Sequence, residues 1–445
     1  MLPFKNAAGL DRYDYLGLAL PDEITTLLTK SRQLAVRPFE HEASGRGPDR
    51  PRAEYVVTGH YYLEGENRLT IAVEAQEAEA QRLVWRAHAT VPTDDLLALR
   101  RHIAERVAGG LLPALGVSTA GGLGPQPAHP EAYRVYLRSI ALPRHPASTV
   151  RAIDLLQQAV ELDPEFAPAW TELGKRWYAH ANYGEGGAEA MERAVAAYRR
   201  ALELDPADVS AAVELVNLRT ESGQLVRAHR EALRLVYDFD RSAEAYLALA
   251  YVYRFGGMLE ESRHHCETAL ELDPLNPRLR SCAYSWLYGG QLEPVRAILE
   301  LDEGSFYFHW GMVLLHLRRG DEAAALEAAR QVAPEPTRDF MEPCLLGVRG
   351  RALDAPAAAF VAHWSGHREP ELSYALAPML EFCGRREEAL AFLRQAIKRN
   401  FCSYPALDQD PAWHRIRDSE AFAALREEAM ACHNRFRHST SASID

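Results

Sequence analysis

His363 and His367 stand four residues apart, the spacing that puts two imidazoles on one helix face where they could share a metal ion. Ser365 and Gly366 lie between them and no third ligand is apparent, so the pair reads as surface histidines and no metal is expected. His264 and His265 are adjacent and cannot share a helix face; one is expected to be exposed and one to line the interior. Asp408 and Asp410 flank a proline turn, where Asp ordinarily caps or kinks the chain and only rarely forms an acid/base pair. The glycine run Gly121-Gly122-Leu123-Gly124 has neither a third spaced glycine nor a helix after it, so it reads as linker and not as a phosphate cradle. The chain holds no GxSxG elbow, no GxxxxGK loop and no HExxH. These residues point away from catalysis, and neither a cofactor nor enzymatic activity is expected.

The elements that would position any site are announced by a phrase written three times. It reads Gln157-Gln158-Ala-Val-Glu-Leu-Asp-Pro164, then Arg199-Arg200-Ala-Leu-Glu-Leu-Asp-Pro206, then Glu267-Thr268-Ala-Leu-Glu-Leu-Asp-Pro274. The second and third prolines are 68 residues apart, twice 34, and the first and second 42 apart, 34 plus 8. A period near 34 in a helix-forming sequence marks a stacked array of helix pairs. Each phrase suits a helix end, because its Ala admits a close neighbour and its Pro stops the helix.

Counting back from the prolines places Trp170, Leu173, Gly174 and Trp177 on a first helix and Ala194, Tyr198 and Ala201 on a second. The next complete copy has Tyr246, Leu249, Ala250 and Tyr253, a turn at Gly257, then Ser262, Cys266 and Ala269. This order of aromatic, Leu, small and aromatic residues, then Ala and finally Pro, resembles the tetratricopeptide repeat. Between the two lies a copy without its proline, marked by Leu215, Gly223, Ala228 and Ala232. The eight extra residues, Tyr183 to Ala190, are expected to lengthen a turn. Weaker copies flank this core and bring the expectation to seven helix pairs over 131–400, with residues 334–370 fitting the frame poorly.

Residues 1–118 read as a separate α/β domain. Strands are expected at Met1–Phe4, Gln33–Phe39, Tyr55–Leu63, Arg68–Glu74 and Gln81–Thr90. A polar loop is expected over 42–52, and helices over Pro21–Ser31, entered at Asp22, and Thr93–Leu115, capped by Thr93 or Asp94. Leu2-Pro3-Phe4 with Asn6, Tyr15-Leu16-Gly17 leading into Pro21–Leu28, Tyr55-Val-Val-Thr-Gly59 and Leu83-Val-Trp85 resemble the TolB amino-terminal-like domain. That resemblance implies a bacterial signalling context, in which the domain precedes tetratricopeptide repeats and is often joined to a Ser/Thr kinase, a nucleotide cyclase or a winged-helix DNA-binding domain. Almost nothing precedes Leu-Pro-Phe here, which leaves a longer parent chain as an expectation.

The fold expected is therefore a small α/β domain with a mixed sheet, followed by an all-α tetratricopeptide-repeat solenoid coiled as a right-handed superhelix. A linker over 119–130 separates the two; a capping segment over 401–437 and a disordered tail over 438–445 complete the chain. A composition of 47% hydrophobic and 25% charged residues is that of a folded soluble chain. No apolar run is long enough for a membrane span. A net charge of −12 disfavours direct nucleic-acid binding. The six cysteines, with no CxxC, read as buried thiols of a reducing compartment, so the cytoplasm is expected.

In a stack of helix pairs, positions 5, 9 and 12 of each repeat face the concave groove. These are Thr171, Lys175 and Tyr178; Val213, Asn217 and Thr220; Leu247, Tyr251 and Arg254; and Arg280 with Tyr284. Polar and aromatic groups dominate among them, the types that anchor protein interfaces. The expected function is a non-catalytic adaptor holding a protein or peptide segment in that groove. Its rivals are the regulatory portion of a longer kinase, cyclase or transcription factor, and a metal-dependent enzyme built around His363 and His367.

Overall fold

The computed structural model describes residues 2–7, 9, 11–29, 31, 33–34, 36, 53–65, 67–117, 127–143, 146–332, 336–402 and 404–441. The chain forms two compact units, one of residues 1–215 with 239–242 and 272–274, the other of 216–238, 243–271 and 275–445.

In the N-terminal unit a four-stranded sheet runs β1 (Lys5–Asn6), β2 (Tyr55–Glu64), β3 (Arg68–Glu77) and β4 (Arg82–Pro92) in sequence order, β1 parallel to β2 and the other pairs antiparallel. Alternation fixes which face is covered: Val57, Tyr61, Leu69, Ile71, Val73 and Ala75 are buried, while Thr58, His60 and Tyr62 between them are not. Helix α1 (Leu16–Thr29) and helix α2 (Leu96–Arg106) supply Leu16, Leu20, Ile24, Leu99 and Ile103 to the same core. A buried ion pair joins them, Arg100 Nε lying 2.6 Å from Glu23 Oε1 with both side chains 3% exposed.

Several local expectations shift. The first strand falls at Lys5–Asn6 instead of Met1–Phe4, and α1 begins at Leu16, ahead of Pro21. Pro21 is tolerated inside the helix because the Gly17 carbonyl, robbed of its usual i+4 amide, accepts the Phe4 N–H at 3.0 Å. That close approach needs glycine, since a Cβ on Gly17 would stand 2.9 Å from the Phe4 carbonyl oxygen. The cap of α2 is Asp95, whose Oδ1 accepts the Ala98 N–H at 2.8 Å, and neither Thr93 nor Asp94. Gln33, Leu34 and Val36 are not in a strand; the rest of the strand expected over Gln33–Phe39, the 42–52 loop and most of the 119–130 linker lie outside the described residues.

After the sheet the chain is a tetratricopeptide-like array of helices. The N-terminal unit holds α3 (Pro130–Ile140), α4 (Pro146–Leu162), α5 (Ala167–Tyr183) and α6 (Gly187–Leu204). The repeated phrase closes helices as its chemistry requires: α4 and α6 end at Leu162 and Leu204, ahead of Asp-Pro. Ala152, Ala159, Ala194 and Ala201 are fully buried, and Gly174 faces the Tyr198 ring so closely that a Cβ would stand 2.6 Å from it. The eight-residue insertion does not lengthen the turn; only residues 184–186 connect α5 to α6, so the extra residues extend the helices.

Helix α7 (Val209–Glu221) enters the C-terminal unit, followed there by α8 (Leu225–Asp238), α9 (Ala243–Phe255) and α10 (Leu259–Leu272). Beyond them come α11 (Ala283–Tyr288), α12 (Val295–Leu299), α13 (Phe306–Arg319) and α14 (Glu322–Arg330). Residues 334–370, poorly matched to the frame, hold α15 (Thr337–Leu345) and α16 (Asp354–Trp364), and α17 (Pro370–Phe382) pairs with α18 (Arg386–Lys398). The last helix, α19 (Glu420–Ser441), runs into the stretch expected to be disordered: Thr440 is buried, and only 442–445 lie outside the described residues. It also does more than cap an open end, because Phe422, Leu425, Ala429 and Phe436 are buried, with Phe436 edge-on to His229 of α8 at 5.8 Å.

Between α18 and α19 an irregular segment crosses the turns of three successive helix pairs. Asn400 meets Gly223, the Tyr404 carbonyl sits against Gly257, and the Gln409 carbonyl lies 2.7 Å from where a Cβ on Gly290 would be. The Cys402 N–H donates to the Phe255 carbonyl at 2.8 Å. The cysteines also depart from expectation. They are not thiols but three disulfides, Cys266–Cys282, Cys344–Cys383 and Cys402–Cys432.

Candidate functional site

The inner positions of the repeats fall into two groups, one in each unit. In the N-terminal unit Thr171 is buried, its Oγ1 donating to Asp208 Oδ2 at 2.5 Å. Asp208 caps α7 through the Ala211 N–H at 2.9 Å, and burial raises its carboxyl above the usual range. Lys175 Nζ lies 2.6 Å from Glu172 Oε1, and Tyr178 is half-buried. In the C-terminal unit Thr220 is buried and donates to the Val216 carbonyl at 2.8 Å. Asn217 is half-buried, and its Oδ1 has no hydrogen-bond partner among the described residues.

Tyr251, Arg254 and Tyr284 come together, but around an internal bond. The Arg254 guanidinium is 1% exposed and forks onto Glu371, Nε to Oε1 at 2.6 Å and Nη2 to Oε2 at 2.9 Å. Its remaining donors reach the Ser281 carbonyl at 2.9 Å and the Ser281 hydroxyl at 3.0 Å. The Tyr251 and Tyr284 rings lie 4.9 and 5.8 Å from it, and burial pushes the Tyr284 phenol upward. Tyr251 donates to Glu221 Oε1 at 3.2 Å. Glu369 completes the cluster by accepting the Glu371 and Leu372 amides at 2.8 Å each. Burial, together with the carboxylates of Glu371 and Glu221, holds Glu369 well above the usual carboxylate range. Arg280 stands apart, its Nε 3.0 Å from Asp302 and its guanidinium over the Tyr307 ring at 4.1 Å.

Of the nine polar and aromatic inner positions, the ligand-facing reading is corrected for three: Thr171, Thr220 and Arg254 are buried and spent on the protein's own packing and bonds. Lys175, Tyr178, Asn217, Tyr251, Arg280 and Tyr284 retain partial exposure. Residues that sequence reasoning missed are Glu221, Glu369 and Glu371. Glu371 sits 117 positions from Arg254, and no local signal pairs them.

The residues first considered for chemistry are put to structural use. The rings of His363 and His367 are 6.4 Å apart with Trp364 against both. Among the described residues no group of three or more His, Cys, Asp or Glu is placed to hold a metal ion. Asp408 pairs with Arg426 at 2.6 Å, whereas Asp410 takes both Arg318 Nε and Nη2, at 2.8 and 2.7 Å. The Gly121–Gly124 run lies outside the described residues.

Two histidines have a measurable consequence. His229 Nε2 lies 3.0 Å from the Tyr253 hydroxyl, with Phe436 on its other side, and His265 stacks on Tyr253 at 5.5 Å beside the exposed His264. Burial lowers both His229 and His265 to about 4. In the unfolded chain they take up protons near pH 6.5, so their contribution is intact above that value and is lost as pH falls toward 4. Lowering the pH from 7 to 5 is expected to remove on the order of 2–3 kcal/mol. Glu369, raised in the folded state, works in the opposite sense, so the pair is isolated by comparing wild type with His229→Phe/His265→Phe in urea at both pH values. An equal pH slope in the two proteins would contradict the assignment.

Against known proteins, residues 189–208 and 243–274 match the family model for the tetratricopeptide repeat. No curated protein matches the chain. Among solved structures, a tetratricopeptide repeat protein from Parabacteroides merdae is 13% identical over 67% of this chain and 99% of its own, with a TM-score of 0.35. PilW, a type IV pilus biogenesis factor, is 14% identical over 45% of this chain and 91% of its own, TM-score 0.36. A human IFIT1 dimer with m7Gppp-AAAA is 13% identical over 78% of each chain, TM-score 0.39. At such scores these likenesses carry no statement about function.

Proposed function

We propose that the chain is a non-catalytic scaffold whose tetratricopeptide repeats hold a protein or peptide segment along their inner helices. The observation that supports this most is the in-register repetition itself, matched by the family model at 189–208 and 243–274, because stacked helix pairs present rows of side chains and not a reaction centre. The side chains best suited to contact a partner are those keeping partial exposure: Lys175 and Tyr178 in the N-terminal unit, and Asn217, Tyr251, Arg280 and Tyr284 in the C-terminal unit. The sheet unit, by its resemblance to TolB amino-terminal-like domains, supports the related reading that the chain is the regulatory portion of a longer signalling protein.

The test is affinity capture with the full chain, followed by quantitative mass spectrometry, comparing wild type with Lys175→Ala/Tyr178→Ala and with Asn217→Ala. Loss of the same captured proteins in one of the variants, at unchanged melting temperature, is the expected result. Undiminished capture by both would place the partner surface elsewhere.

A further inference from the structure

The chain has six cysteines, and all six are joined in pairs with none free. The Cα–Cα distances of 5.7, 5.6 and 5.2 Å lie within the range that disulfides adopt without moving the backbone. The paired residues come from separate elements: α10 and the turn Pro277–Cys282, α15 and the end of α17, the crossing segment and α19. A protein that keeps its thiols uses cysteine as a small buried hydrophobe, placed without regard to other cysteines. Three meetings out of three, with nothing left over, are the pattern of a disulfide framework.

Their distribution has a physical reason. All six lie in the C-terminal unit, and the N-terminal unit has none. The bridges fall where helix-pair packing departs most from regularity: the shortened pair after α10, the 334–370 stretch and the irregular segment around Cys402. Where stacking supplies fewer contacts, a covalent link limits the unfolded ensemble instead. Cys266, Cys282, Cys344 and Cys402 are fully buried, with Cys383 and Cys432 nearly so, which shields the bonds from soluble reductants.

We infer that the C-terminal unit is a disulfide-stapled domain that matures in an oxidising compartment outside the cytosol. Each bond forms as two thiols give up two protons and two electrons to the disulfide of a thiol oxidoreductase, which leaves as a dithiol. The partner that the scaffold holds is then to be sought in that compartment, in place of the cytoplasm expected from cysteine spacing.

The experiment uses the full chain, alkylated inside the cells that produce it before lysis, and then analysed by intact mass and by non-reducing peptide mapping. No alkylated cysteine, with linked peptides joining 266 to 282, 344 to 383 and 402 to 432, is the expected result. Reduction with a phosphine in denaturant, confirmed by intact mass before refolding, is expected to lower the melting temperature by roughly 15 °C or more. Cys402→Ala/Cys432→Ala should fold and melt at an intermediate temperature. Six alkylated cysteines, different pairings, or a melting temperature indifferent to reduction would each overturn the inference.

Discussion

Arg254→Ala lowers the stability of the C-terminal unit by about 3–5 kcal/mol, the range for breaking a buried ion pair by removing one partner. Among the described residues the guanidinium is the only cation bonded to Glu371, and four of its hydrogen bonds end on Glu371 and Ser281. Taking it away leaves Glu371 buried without its cation and beside Glu369, whose own charge burial already disfavours. The loss has to come from this leftover charge and not from missing contact area. Arg254→Met combined with Glu371→Leu should therefore recover most of the stability, since replacing both members by apolar residues of similar volume is commonly near neutral. Urea denaturation of the wild type and the single and double variants measures both claims. A single variant with an unchanged midpoint would mean that the pair is solvated. The expectation that Arg254 faces a ligand in the groove does not survive this geometry.

That reversal shows what could be read from the residues and what could not. The repeated Ala-Leu-Glu-Leu-Asp-Pro phrase located the helix ends at Leu204 and Leu272, and strand alternation located the Tyr55–Glu77 hairpin, because both signals are local. The register of the repeats likewise put Tyr251, Arg254 and Tyr284 on one inner face, where they do meet. Exposure is a different matter, decided by what arrives from far along the chain. Glu371 reaches Arg254 across 117 residues, and Asp410 reaches Arg318 across 92. Neither approach follows from a period of 34, since a small change in the rotation per repeat would separate the partners. Cysteine spacing failed for the same reason: the three pairs close over 16, 39 and 30 residues and fit no local motif.

Gly257→Ala is the second large effect expected, roughly 3–4 kcal/mol, and it tests whether the segment crossing the repeat turns is fixed in place. Gly257 has φ +78, where any side chain is strained, but strain alone costs only about 1 kcal/mol. Gly320 provides that reference. It closes α13 at φ +73 with nothing within 4 Å of a prospective Cβ, so Gly320→Ala should show the conformational cost alone. At Gly257 the added methyl runs into the Tyr404 carbonyl, a backbone atom that cannot swing aside like a side-chain end. That backbone is tied on both flanks, by the Cys402 N–H on the Phe255 carbonyl at 2.8 Å and by Asp410 on Arg318. Relief therefore requires the crossing segment to lift from the turns, exposing its own Phe401 and Leu407, which are buried. If Gly257→Ala costs no more than Gly320→Ala, the segment yields freely, and the turns of α7–α8, α9–α10 and α11–α12 are open to an external chain. A difference of 2 kcal/mol or more, roughly the overpacking contribution, means that the chain itself already occupies them.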